Sequence, residues 1–169
     1  MKINTRARYS IRLLCDIVKN GAESPVSLKD VSERQNISRR YLEQLAIPLR
    51  NAGLLRSVPG LHGGYRLAKP PSEIRLLDII EAVDGPIRIL DCLSEEPDCE
   101  RVDVCETRGV WMEINDSITD ILSNYTMEDL ALAAARAEQK RVGAITCAGK
   151  KPEQEKGKRS DGAKKLRAV

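Results

Sequence analysis

Between Ser27 and Leu67 two short apolar stripes at helical spacing, each opened by a serine, run directly into two short apolar runs around a glycine-rich turn. Ser27 opens the first helix with Leu28 and Val31 inward, and Asp30 three residues on forms a capping box with the shorter acid. Asn36 falls at the break, and Asn tolerates the left-handed backbone that a tight inter-helix turn needs. Ser38 caps the second helix, whose buried stripe is Leu42, Leu45 and Leu49 and which Gly53 ends. Two short helices joined this way form a helix-turn-helix. The runs 54–58 and 65–67, around Pro59 to Gly64, predict a β-hairpin. A helix-turn-helix followed at once by a hairpin is a winged helix. Pro48 is awkward inside a helix and predicts a kink or early loosening near Ile47.

The rest of the chain is organised around this unit. Residues 6–19 place Ile11, Leu14, Cys15 and Val18 at helical spacing, and Gly21 stops that helix. Pro70 and Pro71 mark a boundary. Four segments follow: a winged helix-turn-helix DNA-binding domain (1–70), a connecting helix and cysteine loop (71–106), a dimerisation helix with a short C-terminal helix (107–139), and a disordered basic tail (140–169). The connecting helix spans Ile74 to Val83. The long helix runs from about Thr107 to Asn124 with Val110, Ile114, Ile118, Ile121 and Tyr125 on one stripe, widened by Trp111 and Leu122. A stripe that wide needs another surface to cover it, and self-pairing in a homodimer is the economical choice. The last helix starts at Thr126, with Asp129 at its capping position, and ends near Glu138. The expected fold class is mainly α with a small β-hairpin wing.

Charge is segregated. Residues 1–69 carry 13 Lys and Arg against 5 Asp and Glu, residues 70–139 carry 5 against 17, and residues 140–169 carry 10 against 3, within a net charge of +3. A basic head suits a polyanion such as nucleic acid, and a solvated charged face is the plain alternative. The basic tail would add non-specific DNA affinity by counterion release. The one histidine, His62, sits in a glycine loop and gives acid–base catalysis little to work with, so no enzyme is expected. A small thiol or metal enzyme with a basic partner-binding head is the rival from another class. No apolar run is long enough to span a bilayer or make a signal peptide, so no membrane partner and a cytoplasmic location are expected.

An α-helix fits the major groove, and the early turns of a recognition helix reach base edges. Here that surface is Ser38, Arg39, Arg40, Tyr41, Glu43 and Gln44; Arg pairs with guanine, Gln with adenine, and Glu accepts from cytosine. Packing against a neighbouring helix competes with DNA contact for Tyr41. Arg50 and Arg56 are placed as phosphate contacts. At the wing, His62, Gly63 and Gly64 allow close approach to a phosphate or the minor groove, and a plain hairpin turn is the alternative for the glycines.

Five cysteines in a cytoplasmic chain argue against structural disulfides. Cys15 lies on an apolar stripe, and Cys147 lies in the tail. Cys92, Cys99 and Cys105 share one loop, and three soft thiolates there can hold a soft metal centre. Close cysteine pairs and an evident fourth ligand are missing, so a three-cysteine cluster fits better than zinc. A chance grouping is the alternative. Asp91, Glu95, Glu96, Asp98, Glu100, Asp103 and Glu106 face only Arg101, which should raise the thiol pKa values and make a cluster harder to reduce.

The segments Tyr41-Leu-Glu-Gln-Leu45, Leu49-Arg-Asn-Ala-Gly-Leu54 and Gly63-Gly-Tyr65, followed by the three cysteines, resemble the bacterial iron–sulfur winged-helix regulators typified by IscR and NsrR, over residues 1 to about 135. The resemblance implies a homodimeric transcription factor, more often a repressor, on a roughly palindromic double-stranded operator. It implies a 2Fe-2S or 4Fe-4S cluster on Cys92, Cys99 and Cys105, base reading by Glu43 and Gln44, and dimerisation through the long helix. In one branch a His supplies the fourth ligand where this chain has Arg108; in another, an Asp of the partner's first helix, in the region of Arg8. The fourth ligand is thus open among Asp91, Asp103, Glu106, the other subunit and an exogenous thiol or water. Pro59 stands where relatives that probe the minor groove often carry Arg. A cluster-free thiol sensor, or idle cysteines, is the alternative on the same head.

Overall fold

The computed structural model describes residues 4–95, 97 and 99–148, the last eleven of these by backbone alone. In chain order the elements are α1 (Thr5–Asn20), α2 (Leu28–Gln35), α3 (Arg39–Asn51), β1 (Leu55–Val58), β2 (Gly64–Leu67), α4 (Leu76–Asp84), α5 (Arg108–Asn124) and α6 (Met127–Ala148). The chain divides into two compact units, residues 1–135 and 136–169. Among the described residues no helix is long and apolar enough to cross a membrane.

Local chemistry accounts for the boundaries of the head. Asn4, Ser27 and Ser38 each cap a helix by accepting from a backbone N–H, at Ala7, Asp30 and Tyr41. Asn36 is left-handed (φ 52°) between α2 and α3. Gly53 (φ 68°) ends α3: its N–H donates to the Arg50 carbonyl and that of Leu54 to the Leu49 carbonyl, the paired bonds of a Schellman motif. The loosening expected near Ile47 does not occur; α3 carries through Pro48 to Asn51. Leu42, Leu45 and Leu49 are buried as expected, with Ala46 beside them.

The stripe of α1 is rotated from expectation. Ala7, Ser10, Leu13, Leu14 and Ile17 are its buried face, while Ile11, Cys15 and Val18 pack from the flank. Asp16 is buried within this helix (2% exposed) and is joined to α2 by Arg34, whose Nη2 lies 2.6 Å from its carboxylate, and by Gln35 at 2.9 Å.

The hairpin pairs Leu55 with Leu67, Arg56 with Arg66, Ser57 with Tyr65 and Val58 with Gly64. Val26 bridges to Tyr65 through two backbone bonds, so the wing is stitched to the residue preceding the α2 cap. That stitch explains Gly64: a Cβ there would collide with the Val26 carbonyl, and one at Gly63 with that of Val58.

The boundary expected at Pro70 and Pro71 does not separate cores. Ile79, Ile80 and Val83 of α4 join the hydrophobic cluster of α1, α2 and α3, as does Ile74, which precedes the helix instead of opening it. Past α5 the chain returns: Leu76 N–H donates to the Tyr125 carbonyl and Met127 N–H to that of Ile74, with Ile74 and Met127 fully buried. The last helix runs to Ala148, beyond the Glu138 end expected, so residues 140–148 continue a helix; residues 149–169 of the basic tail lie outside the described residues.

Candidate nucleic-acid interface and cysteine loop

Burial of Leu42, Leu45 and Leu49 fixes which face α3 turns outward. Ser38, Arg39, Arg40, Glu43 and Gln44 are exposed on it, and Arg50 is exposed in its last turn. Arg39 Nε donates to the Glu43 carboxylate at 2.9 Å, so a cytosine reading by Glu43 shares that carboxylate with Arg39. Tyr41 is half-buried and stands edge-on to Tyr9 with ring centroids 6.0 Å apart, the packing that competed with DNA contact. A surface depression of about 390 Å³ joins Ser27 and Lys29 with Arg39 and Glu43 of α3 and with Gly63 and Gly64 of the wing. The recognition helix and the wing base thus share one concave surface. His62 is exposed at the wing tip beside Leu61, and Arg56 is exposed on β1. Gly63 and Gly64 are half-buried against backbone, which gives both a packing role.

The buttress behind this face was not anticipated. Arg12 lies over the Tyr9 ring at 5.3 Å and its Nε donates to the Gln35 side chain at 3.1 Å, while Gln35 and Arg34 hold Asp16. Burial pushes the Asp16 carboxyl up, but hydrogen bonds from Arg34, Gln35 and Asn20 outweigh it and hold the group below the usual carboxylate range. The legible signal was an acid inside an apolar stripe.

The segment 85–107 holds the three cysteines in turns and a short 3-10 piece, Asp91–Leu93. Cys92 and Cys105 are half-buried and Cys99 is exposed. The loop is tied to α5 by Ile89 N–H donating to the Asn115 Oδ1 at 3.1 Å and by a long contact, 3.5 Å, from Arg108 Nε to the Cys92 carbonyl. Cys105 Sγ lies 3.5 Å from the Thr107 hydroxyl. That side chain and the backbone N–H groups of Thr107 and Arg108, with the charge of Arg101, lower the Cys105 pKa against a small opposing effect of burial, the reverse of the rise expected from the acidic loop. Among the described residues no three of His, Cys, Asp and Glu are gathered about one point as ligands of a single metal ion. Cys15 packs beside the core, and burial pushes its thiol up. The side chain of Cys147 lies outside the described residues.

No residue of α5 is buried. Val110, Trp111, Met112, Ile114 and Ile121 are all exposed along it, with Tyr125 just beyond.

The Rrf2 family model, described as an iron-dependent transcriptional regulator, matches residues 3–133. The HTH-type transcriptional regulator CymR of Bacillus subtilis is 40% identical over 131 residues, 78% of this chain and 90% of that protein. IscR of Pectobacterium carotovorum, also an HTH-type transcriptional regulator, is 41% identical over 130 residues, covering 77% and 79%. The solved structure of T. potens IscR superposes with a TM-score of 0.67 at 36% identity, over 81% of this chain and 90% of that one. These relatives are regulators of transcription and not enzymes, and their winged-helix fold is the one described above. The chain therefore belongs to the Rrf2 family of DNA-binding transcriptional regulators.

Proposed function

We propose that the protein is a homodimeric repressor whose operator binding is controlled by a 2Fe-2S or 4Fe-4S cluster on Cys92, Cys99 and Cys105. The observation that carries the reading is the position of the cysteine loop at the start of α5, a helix whose apolar face is uncovered. The donor set fits such a group: three thiols on one loop, one of them, Cys105, already biased toward the thiolate. A bound cluster would supply a centre sensitive to oxidation and ligand loss.

The chain's own residues do the remainder. The Thr107 hydroxyl lies against the Cys105 sulfur, and the Ile89–Asn115 bond links loop position to α5. A second copy covers the α5 face, which fixes the separation of two recognition helices near one turn of DNA, about 34 Å. Arg40 and Gln44 then read bases from one face of α3. Arg50 and Arg56 take phosphates, and His62 approaches the minor groove. Loop state shifts the population of dimers whose heads match a roughly palindromic operator.

Strictly anaerobic purification with an absorption spectrum and iron and sulfide per chain tests this. Visible charge-transfer bands with matched iron and sulfide, lost in Cys92→Ala, Cys99→Ala and Cys105→Ala, are expected. A colourless protein after reconstitution would favour a second reading, a cluster-free thiol sensor, which draws on the lowered Cys105 pKa and on the similarity to CymR.

A further inference from the structure

On the wing, Arg56 and Arg66 sit directly opposite each other across the two strands. Cross-strand partners share one face with Cβ atoms about 5 Å apart, and like charges so placed repel. Neither is in a salt bridge among the described residues, and neither is Lys69 just beyond β2. All three line a cleft of about 310 Å³ between the hairpin and the end of α1, whose remaining wall is apolar or backbone, from Ile17, Gly21 and Pro71 among others. Among the described residues no carboxylate lines it. Arg66 is held in place by donating one Nη to the Glu23 carbonyl at 2.8 Å, which leaves its other donors free. Three cations without a carboxylate partner among the described residues line one concave surface, and two of them are guanidinium forks suited to bidentate oxyanion contact.

We propose that this cleft is an oxyanion site that takes a phosphate group. It lies apart from the cysteine loop and does not depend on the cluster reading. The phosphate has two possible sources, the backbone of the bound duplex or a free phosphorylated small molecule.

Lys69→Gln and Arg66→Gln in the full chain separate these sources, with Lys69→Gln carrying the test because its exposed side chain makes no structural bond. Two readouts are needed: the salt dependence of binding to an operator and to an unrelated duplex, and the melting temperature with pyrophosphate against chloride at equal ionic strength. If the duplex supplies the phosphate, each variant weakens binding to both duplexes by the same factor. The slope of log K against log salt then becomes less steep by about 0.9 per lost contact. If a free ligand supplies it, pyrophosphate raises the melting temperature of the parent protein but not of the variants, and the salt slope is unchanged. An unchanged slope together with no pyrophosphate-specific stabilisation overturns the site. The pyrophosphate readout uses no DNA, so failure to find an operator would not be confused with failure of the cleft.

Discussion

The head and the cysteine loop are built on opposite terms. Among the described residues every buried hydrophobic side chain except Met127 precedes Asp84, most of them in helices, and serine and asparagine caps and a glycine end set the bounds of α2 and α3. From Gly85 to Thr107 the chain buries no side chain among the described residues and is held by turns and a few bonds to α5. A core many side chains deep tolerates little change, whereas a loop held by single bonds can take two arrangements at small cost. The difference is what the proposed reading requires, a DNA-binding head kept rigid beside a loop left adjustable.

Truncation inside each region sharpens the contrast most. Leu42→Ala should lower unfolding stability in urea by about 2–5 kcal/mol, because Leu42 is fully buried in α3. Ile114→Ala on α5 should act through dimerisation, so its effect on melting temperature should be largest at high protein concentration and vanish at dilutions where both proteins are monomeric. A concentration-independent loss at Ile114 as large as that at Leu42 would place α5 in the monomer's own core and break the comparison.

A smaller effect is expected from the buttress under the reading face. Asp16→Asn removes a charged acceptor from Arg34 and Gln35 and should cost about 1–3 kcal/mol, discounted because Arg34 is 40% exposed. Since the folded pKa of Asp16 lies below its unfolded value, its contribution is complete above about pH 4 and is lost as pH falls through the folded pKa. The variant should therefore show a flatter decline in melting temperature as the pH falls below about 4. Parallel curves for the two proteins would remove Asp16 as the cause.

The loop should respond in reactivity and hardly at all in stability. Thr107→Val should raise the Cys105 pKa and slow alkylation by iodoacetamide at neutral pH, with stability changed by less than about 0.5 kcal/mol. An unaltered alkylation rate would show that the backbone donors, and not the hydroxyl, set that thiol.

What the sequence made legible follows the same division. Ser27, Asn36, Ser38 and Gly53 act within a turn of their own position, so local chemistry suffices to read α2, α3 and their junction. The rotation of α1 and the burial of Asp16 depend on what α2 and α4 bring against that helix, which no local pattern encodes. Pro48 failed to loosen α3 because Leu42, Leu45, Ala46 and Leu49 anchor the helix on both sides of it, a tertiary gain larger than the lost bond. Of the site, the exposed face of α3 was legible from the buried stripe opposite. The Arg39–Glu43 pair was implicit in its four-residue spacing. The Cys105 shift was not, because it turns on a hydroxyl two residues away and not on the net charge of the loop.

The crossing at Ile74, Tyr125 and Met127 gives α5 the mechanics of a pointer. Its C-terminal end is riveted to the head by two backbone bonds and two fully buried side chains, while its first residue, Arg108, reaches the cysteine loop through a long contact to the Cys92 carbonyl. Seventeen residues make an arm of about 25 Å, so a tilt of about 5° about the rivet moves the far end by about 2 Å. In the proposed dimer, with two such arms laid face to face, the same small rotation becomes a change in the gap between two reading heads, and a loop that tilts the arm has no need to touch DNA.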